Sequence, residues 1–214
     1  MSQMSNKNKK VVQNLAKSIS KEVKHFNKIE VEGLIGEYEV LMQDMSNYGR
    51  EVPGLERGKF RSKLHSMFGI THDIIMDGVF KTFDKDNDGH VTMREWIEGL
   101  SVFLRGNMDE QIKFCFHVFD LNGDGYISRE EMLQLMKNSL ILATEEESEE
   151  GIKDLVEITL NRMDHDHDGK LSFEDFEKAI KEENLLLTAF GPCLPDYKSI
   201  EKFEQRVFYV QLFQ

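Results

Sequence analysis

Apolar residues along this chain recur in a punctuated rhythm. Phe80 and Phe83 stand just before Asp84, Phe116 and Phe119 just before Asp120, and Leu160 and Met163 just before Asp164. Twelve residues after each of those aspartates the apolar positions resume, as Trp96 and Leu100, as Met132, Leu135 and Met136, and as Phe176 and Ile180. Spacings of three and four place each set on one face of a helix, so every polar dozen sits between an incoming and an outgoing amphipathic helix. Proline, the strongest helix breaker, occurs only three times, at Pro53, Pro192 and Pro195. The pattern predicts an all-α protein of repeated helix–loop–helix units, with β structure confined to short ribbons where loops meet.

The three polar dozens are DKDNDGHVTMRE (Asp84 to Glu95), DLNGDGYISREE (Asp120 to Glu131) and DHDHDGKLSFED (Asp164 to Asp175). Each sets oxygen-bearing side chains at positions 1, 3, 5 and 12 and glycine at position 6, and so resembles the EF-hand calcium loop. A hard cation of calcium's size takes about six to eight oxygens at roughly 2.3–2.6 Å, which a short loop wrapped around it offers from alternate positions. The candidate ligands of the first loop are Asp84, Asp86, Asp88, the His90 carbonyl and a bidentate Glu95, with Thr92 adding a hydroxyl or a water bridge. Those of the second are Asp120, Asn122, Asp124, the Tyr126 carbonyl and Glu131, with Ser128 in the place of Thr92. Those of the third are Asp164, Asp166, Asp168, the Lys170 carbonyl and Asp175. Val91, Ile127 and Leu171, at position 8, are the residues expected to join neighbouring loops by a β-ribbon. Asp175 is one methylene shorter than the glutamates that close the other two loops, which lowers the expected coordination number towards about six and favours magnesium as a competitor there.

The loop starts at 84 and 120 are 36 residues apart, and a further 36 back falls on Tyr48. The segment YGREVPGLERGK fills that register, with Leu55 at the ribbon position and Phe60 where Trp96, Met132 and Phe176 follow their loops. Tyr48, Arg50, Val52 and Lys59 occupy its ligand positions, and two of them are cations, so metal is excluded electrostatically. The expected role of this degenerate unit is to pair with the Asp84–Glu95 hand. The interval from 120 to 164 is eight residues longer, and the excess falls around the acidic ATEEESEEG (Ala143 to Gly151), a loop or a frayed helix start. The expected organisation is four units in two lobes: a basic leader helix over residues 1–28, an N-terminal lobe over 29–105, a C-terminal lobe over 106–183 and a helical tail over 184–214.

Charge sharpens this map. The formal charge is −12, yet the first 28 residues carry seven lysines against Glu22 alone, leaving −18 on the rest. Within the leader Val11, Val12, Leu15, Ala16, Ile19 and Val23 recur at helical spacing. An amphipathic basic helix either packs its stripe on the body or meets an acidic surface, such as a protein filament or an anionic membrane. The acidic total disfavours nucleic acid as a partner. No apolar run is long enough to span a bilayer, and Ser2 stands where a myristoylation site needs glycine, so no stable membrane anchor is expected. Two cysteines, Cys115 and Cys193, make no disulfide framework, which fits an intracellular compartment. Cys115, between Phe114 and Phe116, reads as a buried structural thiol. His165 and His167 stand at loop positions that face away from the ion, so they do not read as zinc ligands. No phosphate loop, catalytic triad or hydrolase elbow occurs, and no enzyme is expected.

Eleven of the acids occupy ligand positions, so three divalent ions would bring the formal charge from −12 to −6. Relief of that repulsion helps metal binding change helix angles, and eleven methionines suit an adaptable groove, although most of them read as ordinary core. A lobe that has surrendered a site and an apolar tail stripe (Ile200, Phe203, Val207, Phe208, Val210, Leu212) favour a sensor over a calcium buffer. The tail is expected to dock on the protein's own groove or to brace a partner.

The two-lobe plan with a degenerate first hand resembles the neuronal calcium sensor, calcineurin B and calcium-and-integrin-binding group. KHFNKIEV, EWIEGLSVFLRG, GIKDLVEITLNRMDHDHDGKLSF and LLLTAFGPCLPD, with the spacing between them, are similar to a member of that group found in ciliary axonemes. That resemblance implies a calcium-dependent regulator of outer-arm dynein in cilia and flagella. The partners it implies are the dynein heavy chain, the docking complex and axonemal microtubules. Its cofactor would be calcium, at up to three sites, with magnesium an alternative at Asp164–Asp175. A calcium-dependent regulatory subunit of a phosphatase, kinase or channel is the alternative use of the same plan.

Overall fold

The computed structural model of the chain describes residues 6–46, 53–139 and 145–209. It is mostly helical. Helix α1 (Asn6–Glu22) is followed by α2 (Lys28–Ser46), β1 (Leu55–Glu56), α3 (Arg57–Phe68), α4 (Asp73–Phe83), β2 (His90–Val91) and α5 (Met93–Arg105). The second half runs α6 (Met108–Phe119), β3 (Tyr126–Ile127), α7 (Arg129–Ser139), α8 (Glu145–Met163), β4 (Leu171–Ser172) and α9 (Phe173–Glu182). The tail has a 3-10 turn (Asn184–Thr188), α10 (Tyr197–Glu204) and a π-helical turn (Gln205–Tyr209).

The ribbons join the hands in pairs, and this makes the two lobes. β1 and β2 are antiparallel with Leu55 opposite Val91, and β3 and β4 with Ile127 opposite Leu171. All four are buried and occupy the position expected from the loop register, that of Leu55 included. The degenerate unit therefore pairs with the first acidic loop; its Tyr48, Arg50 and Val52 lie outside the described residues, and Lys59 is exposed on α3.

The incoming and outgoing apolar residues form the core. Phe60, Phe80, Phe83 and Trp96 pack edge to face, Phe60 lying 5.4 Å from Phe80 and 5.9 Å from Trp96 by ring centroids. Phe103 and then Phe114 continue the cluster at 5.9 and 5.7 Å, carrying it from α5 into α6 and so from one lobe to the other. Edge-to-face pairs of this kind add about 0.5–1.5 kcal/mol each beyond their burial. The lobes also meet where α4 crosses α6 at Gly78: a Cβ there would stand 2.4 Å from the Val118 carbonyl oxygen. Only glycine lets the two backbones approach so closely.

The leader packs on the body. Ala16, Ile19 and Val23 are buried and α1 lies along α2, while Lys10, Lys17 and Lys21 face outward. Val11 belongs to the same apolar series but is 63% exposed, so the stripe is narrower than its spacing suggests. The insertion before the last loop is helical from Glu145, where α8 begins; Ala143 and Thr144 lie outside the described residues. Among the described residues no helix is long and apolar enough to cross a membrane.

Candidate metal centres

Each acidic loop starts where a helix ends. Asp84, Asp120 and Asp164 are all buried, and the backbone N–H of each still donates to the helix before it, to Phe80, Phe116 and Leu160 respectively. Their carboxylates then turn inward and organise the loop. Asp84 accepts from the N–H of Gly89 at 3.0 Å and of Asp88 at 3.1 Å. Asp120 accepts from Gly125 at 2.9 Å and Gly123 at 2.6 Å, and Asp164 from Gly169 at 2.9 Å and His167 at 2.8 Å.

The side chains at positions 3 and 5 close on the same point. In the first loop, carboxylate oxygens of Asp84, Asp86 and Asp88 lie within 4.8 Å of one another, and those of Asp164, Asp166 and Asp168 do the same in the third. In the second loop Asn122 replaces one carboxylate, and its Nδ2 donates to Asp124 at 3.1 Å. Loss of water, with Asp88, Glu95 and Asp84 as neighbouring charges, pushes the Asp86 carboxyl up from its ordinary range. Asp164 goes the other way: burial raises it, but the N–H groups of Gly169, His167 and Asp168 outweigh burial and hold it down.

Position 12 is set by helix capping. Thr92 Oγ1 accepts from the Glu95 N–H, while the Glu95 carboxylate accepts from the Thr92 N–H at 2.9 Å and from the Lys85 N–H at 2.9 Å. Ser128 with Glu131 and Ser172 with Asp175 repeat this capping box. The threonine and serine hydroxyls at position 9 are thus bonded to the helix start and to the neighbouring carboxylate. Asp175 spans the same gap less closely: its oxygens accept from His165 and Ser172 N–H groups at 3.2 Å each. The carbonyl-bearing residues His90 and Tyr126 lie on the ribbons, and Lys170 immediately before one.

Sequence spacing picked out glycine at position 6 but not the second left-handed residue, at position 4. Asn87, Gly123 and His167 have φ of 56°, 78° and 60°. The signal was the residue type, since asparagine and glycine tolerate this conformation best. Also unforeseen was a link between loops: Lys81 Nζ, on the helix entering the first, donates to the Leu121 carbonyl of the second at 3.0 Å.

The donor set fits calcium. Positions 1, 3, 5 and 12 all carry oxygen donors, the carboxylates at positions 1, 3 and 5 of the first and third loops converge, and the flanking backbone is already curled around them.

Paired helix–loop–helix units joined by ribbons define an EF-hand protein, and the family model for the EF-hand domain pair matches residues 75–137 and 109–181. The chain is 58% identical to human calaxin and 59% identical to mouse calaxin, over 94% of its length and 95% of each relative. Calcineurin B of Candida glabrata is 32% identical over 73% of the chain and 83% of that protein. The chain belongs to the calaxin family. With the EF-hand loops, this makes it a protein of calcium-sensor type.

Proposed function

We propose that this protein binds outer-arm dynein in cilia and flagella and adjusts their beating as calcium changes. The observation that carries the reading is identity of 55–59% to five calaxins over 94% of the chain. It agrees with the sequence resemblance to an axonemal member of the group, which implies the dynein heavy chain, the docking complex and axonemal microtubules as partners.

In this reading Asp84, Asp86, Asp88, His90 and Glu95 hold one calcium ion, and Asp120, Asn122, Asp124, Tyr126 and Glu131 a second. Asp164, Asp166, Asp168, Lys170 and Asp175 hold a third, at which magnesium competes. A bound calcium ion would supply the positive charge that offsets these crowded carboxylates. Glu95 and Glu131 lie in the first turn of α5 and α7, so their movement towards positions 1, 3 and 5 turns those helices. Reorientation of outgoing helices exposes an apolar groove, and such a groove grips an amphipathic helix of the motor. The role is one of binding and not of catalysis.

A regulatory role on a phosphatase is the second reading, favoured by the relation to calcineurin B. Affinity capture from ciliary extract, with calcium and with chelator, separates the two. The expected result is calcium-dependent recovery of dynein heavy chain. Recovery of a phosphatase catalytic chain without dynein overturns the first reading.

A further inference from the structure

The only two cysteines of the chain meet although 78 residues separate them. Cys115 on α6 and Cys193, between the 3-10 turn and α10, are both buried, with Sγ atoms 2.6 Å apart. A disulfide bond is about 2.05 Å, so ~0.5 Å of side-chain movement would join them. A cavity of about 460 Å³ is lined by both cysteines together with Phe68, His72, Leu187 and Pro192, and has room for a small oxidant. Calcium binding makes no use of either thiol.

We propose that Cys115 and Cys193 are an oxidative modification site, a dithiol that hydrogen peroxide converts to an intramolecular disulfide. Burial, and then the contact with Cys193, pushes the Cys115 thiol well up. One of the two sulfurs, as its thiolate, attacks the peroxide. An S–O bond forms, the O–O bond breaks, and the departing hydroxide takes up the proton that this thiol released, giving water and a sulfenic acid. The other sulfur then displaces hydroxide from the oxidised one, and that hydroxide leaves with the second thiol's proton as a second water. Two thiols lose two electrons and two protons, and one peroxide becomes two waters. An added dithiol reverses the reaction by exchange. The bond ties the tail to the helix entering the second loop and closes a long loop in the unfolded chain, which stabilises the fold.

Treatment of the full-length protein with hydrogen peroxide tests this. Titratable thiols should fall from two per chain to none, with the chain monomeric on a non-reducing gel and dithiothreitol restoring both. The thermal midpoint should rise by a few degrees in the wild type and not in Cys115→Ser or Cys193→Ser. Peptide mapping of the oxidised wild type, which needs no variant to fold, should recover one cross-linked pair containing both residues. Oxidation that ends as a sulfinic acid, that joins two chains, or that leaves both thiols titratable overturns the proposal.

Discussion

The ring of Phe203 lies 5.3 Å from that of Phe68, so the tail, which leaves the C-terminal lobe, closes on the N-terminal one. Phe190, earlier in the tail, lies 5.3 Å from Phe119 in the lobe it leaves. Beyond Phe203, Glu204 accepts from Arg105 Nε at 2.6 Å, and the same guanidinium stacks on Phe26 and Phe208. The tail thus spans both lobes as far as Phe208, while Val210 and Leu212 of its expected stripe lie outside the described residues. Phe203→Ala, which empties a buried ring site, should cost about 3–5 kcal/mol in urea unfolding. The same change at Leu185, which is 79% exposed, should move stability by no more than about 0.5 kcal/mol. Truncation after Glu183 should raise binding of a hydrophobic dye without calcium. Unchanged dye binding would show that the tail covers nothing.

Tyr38 ties α2 to the first ribbon through a 2.8 Å hydrogen bond from its hydroxyl to the Val91 carbonyl. Tyr38→Phe should destabilise the protein by about 1 kcal/mol. Burial, aided by the charge of Glu95, pushes the Tyr38 phenol from 10.0 up to about 12. The unfolded phenol loses its proton near pH 10 and the folded one near pH 12. Its contribution, on the order of 2 kcal/mol, is therefore whole below pH 10 and lost as pH rises to 12. Thermal midpoints between those limits should fall more steeply for the wild type than for Tyr38→Phe.

The closing carboxylates carry the calcium prediction. Glu95→Gln and Glu131→Gln should each weaken calcium binding at their own loop by about tenfold or more. Asp175→Glu should tighten the third site by about tenfold and blunt competition by magnesium. Calorimetric titration with and without magnesium reads these changes. The single tryptophan, Trp96, follows the first loop directly, so its fluorescence should lose its calcium response in Glu95→Gln and keep it in Glu131→Gln. Three equivalent wild-type sites indifferent to magnesium would refute the distinction drawn for Asp175.

Glycine substitutions separate packing from propensity. Gly78→Ala forces a Cβ against the Val118 carbonyl between α4 and α6 and should cost about 1–3 kcal/mol. Gly36→Ala, inside α2 with nothing within 4 Å, should be neutral or stabilising by up to about 1 kcal/mol. Chemical denaturation should therefore lower the midpoint of Gly78→Ala and leave that of Gly36→Ala unchanged or raised.

Much of the candidate site was legible beforehand because its parts are neighbours in sequence. Asp84 to Glu95 contains a whole candidate ligand set, and the apolar pairs beside it follow helix periodicity, so both survive without knowledge of any distant residue. The register argument reached even the degenerate unit, where Leu55 pairs with Val91. The helical period of the leader overreached at Val11, which keeps the spacing but is 63% exposed. The left-handed position 4 went unread because Asn87 and His167 carry a Cβ, and only the folded loop forces them to φ near 60°.

By itself, then, the sequence determined the acidic loops, their flanking helices, their ribbon register and the greater part of the core. These follow from local chemistry: oxygen donors within one turn of chain, and periods that place apolar groups on one face. Only the tertiary structure decided that Lys81 reaches Leu121, that Cys115 meets Cys193, and that Phe190 and Phe203 carry one tail across two lobes. Those contacts depend on how helices cross, and the crossing is settled by close packing of many surfaces at once. No period along the chain encodes it.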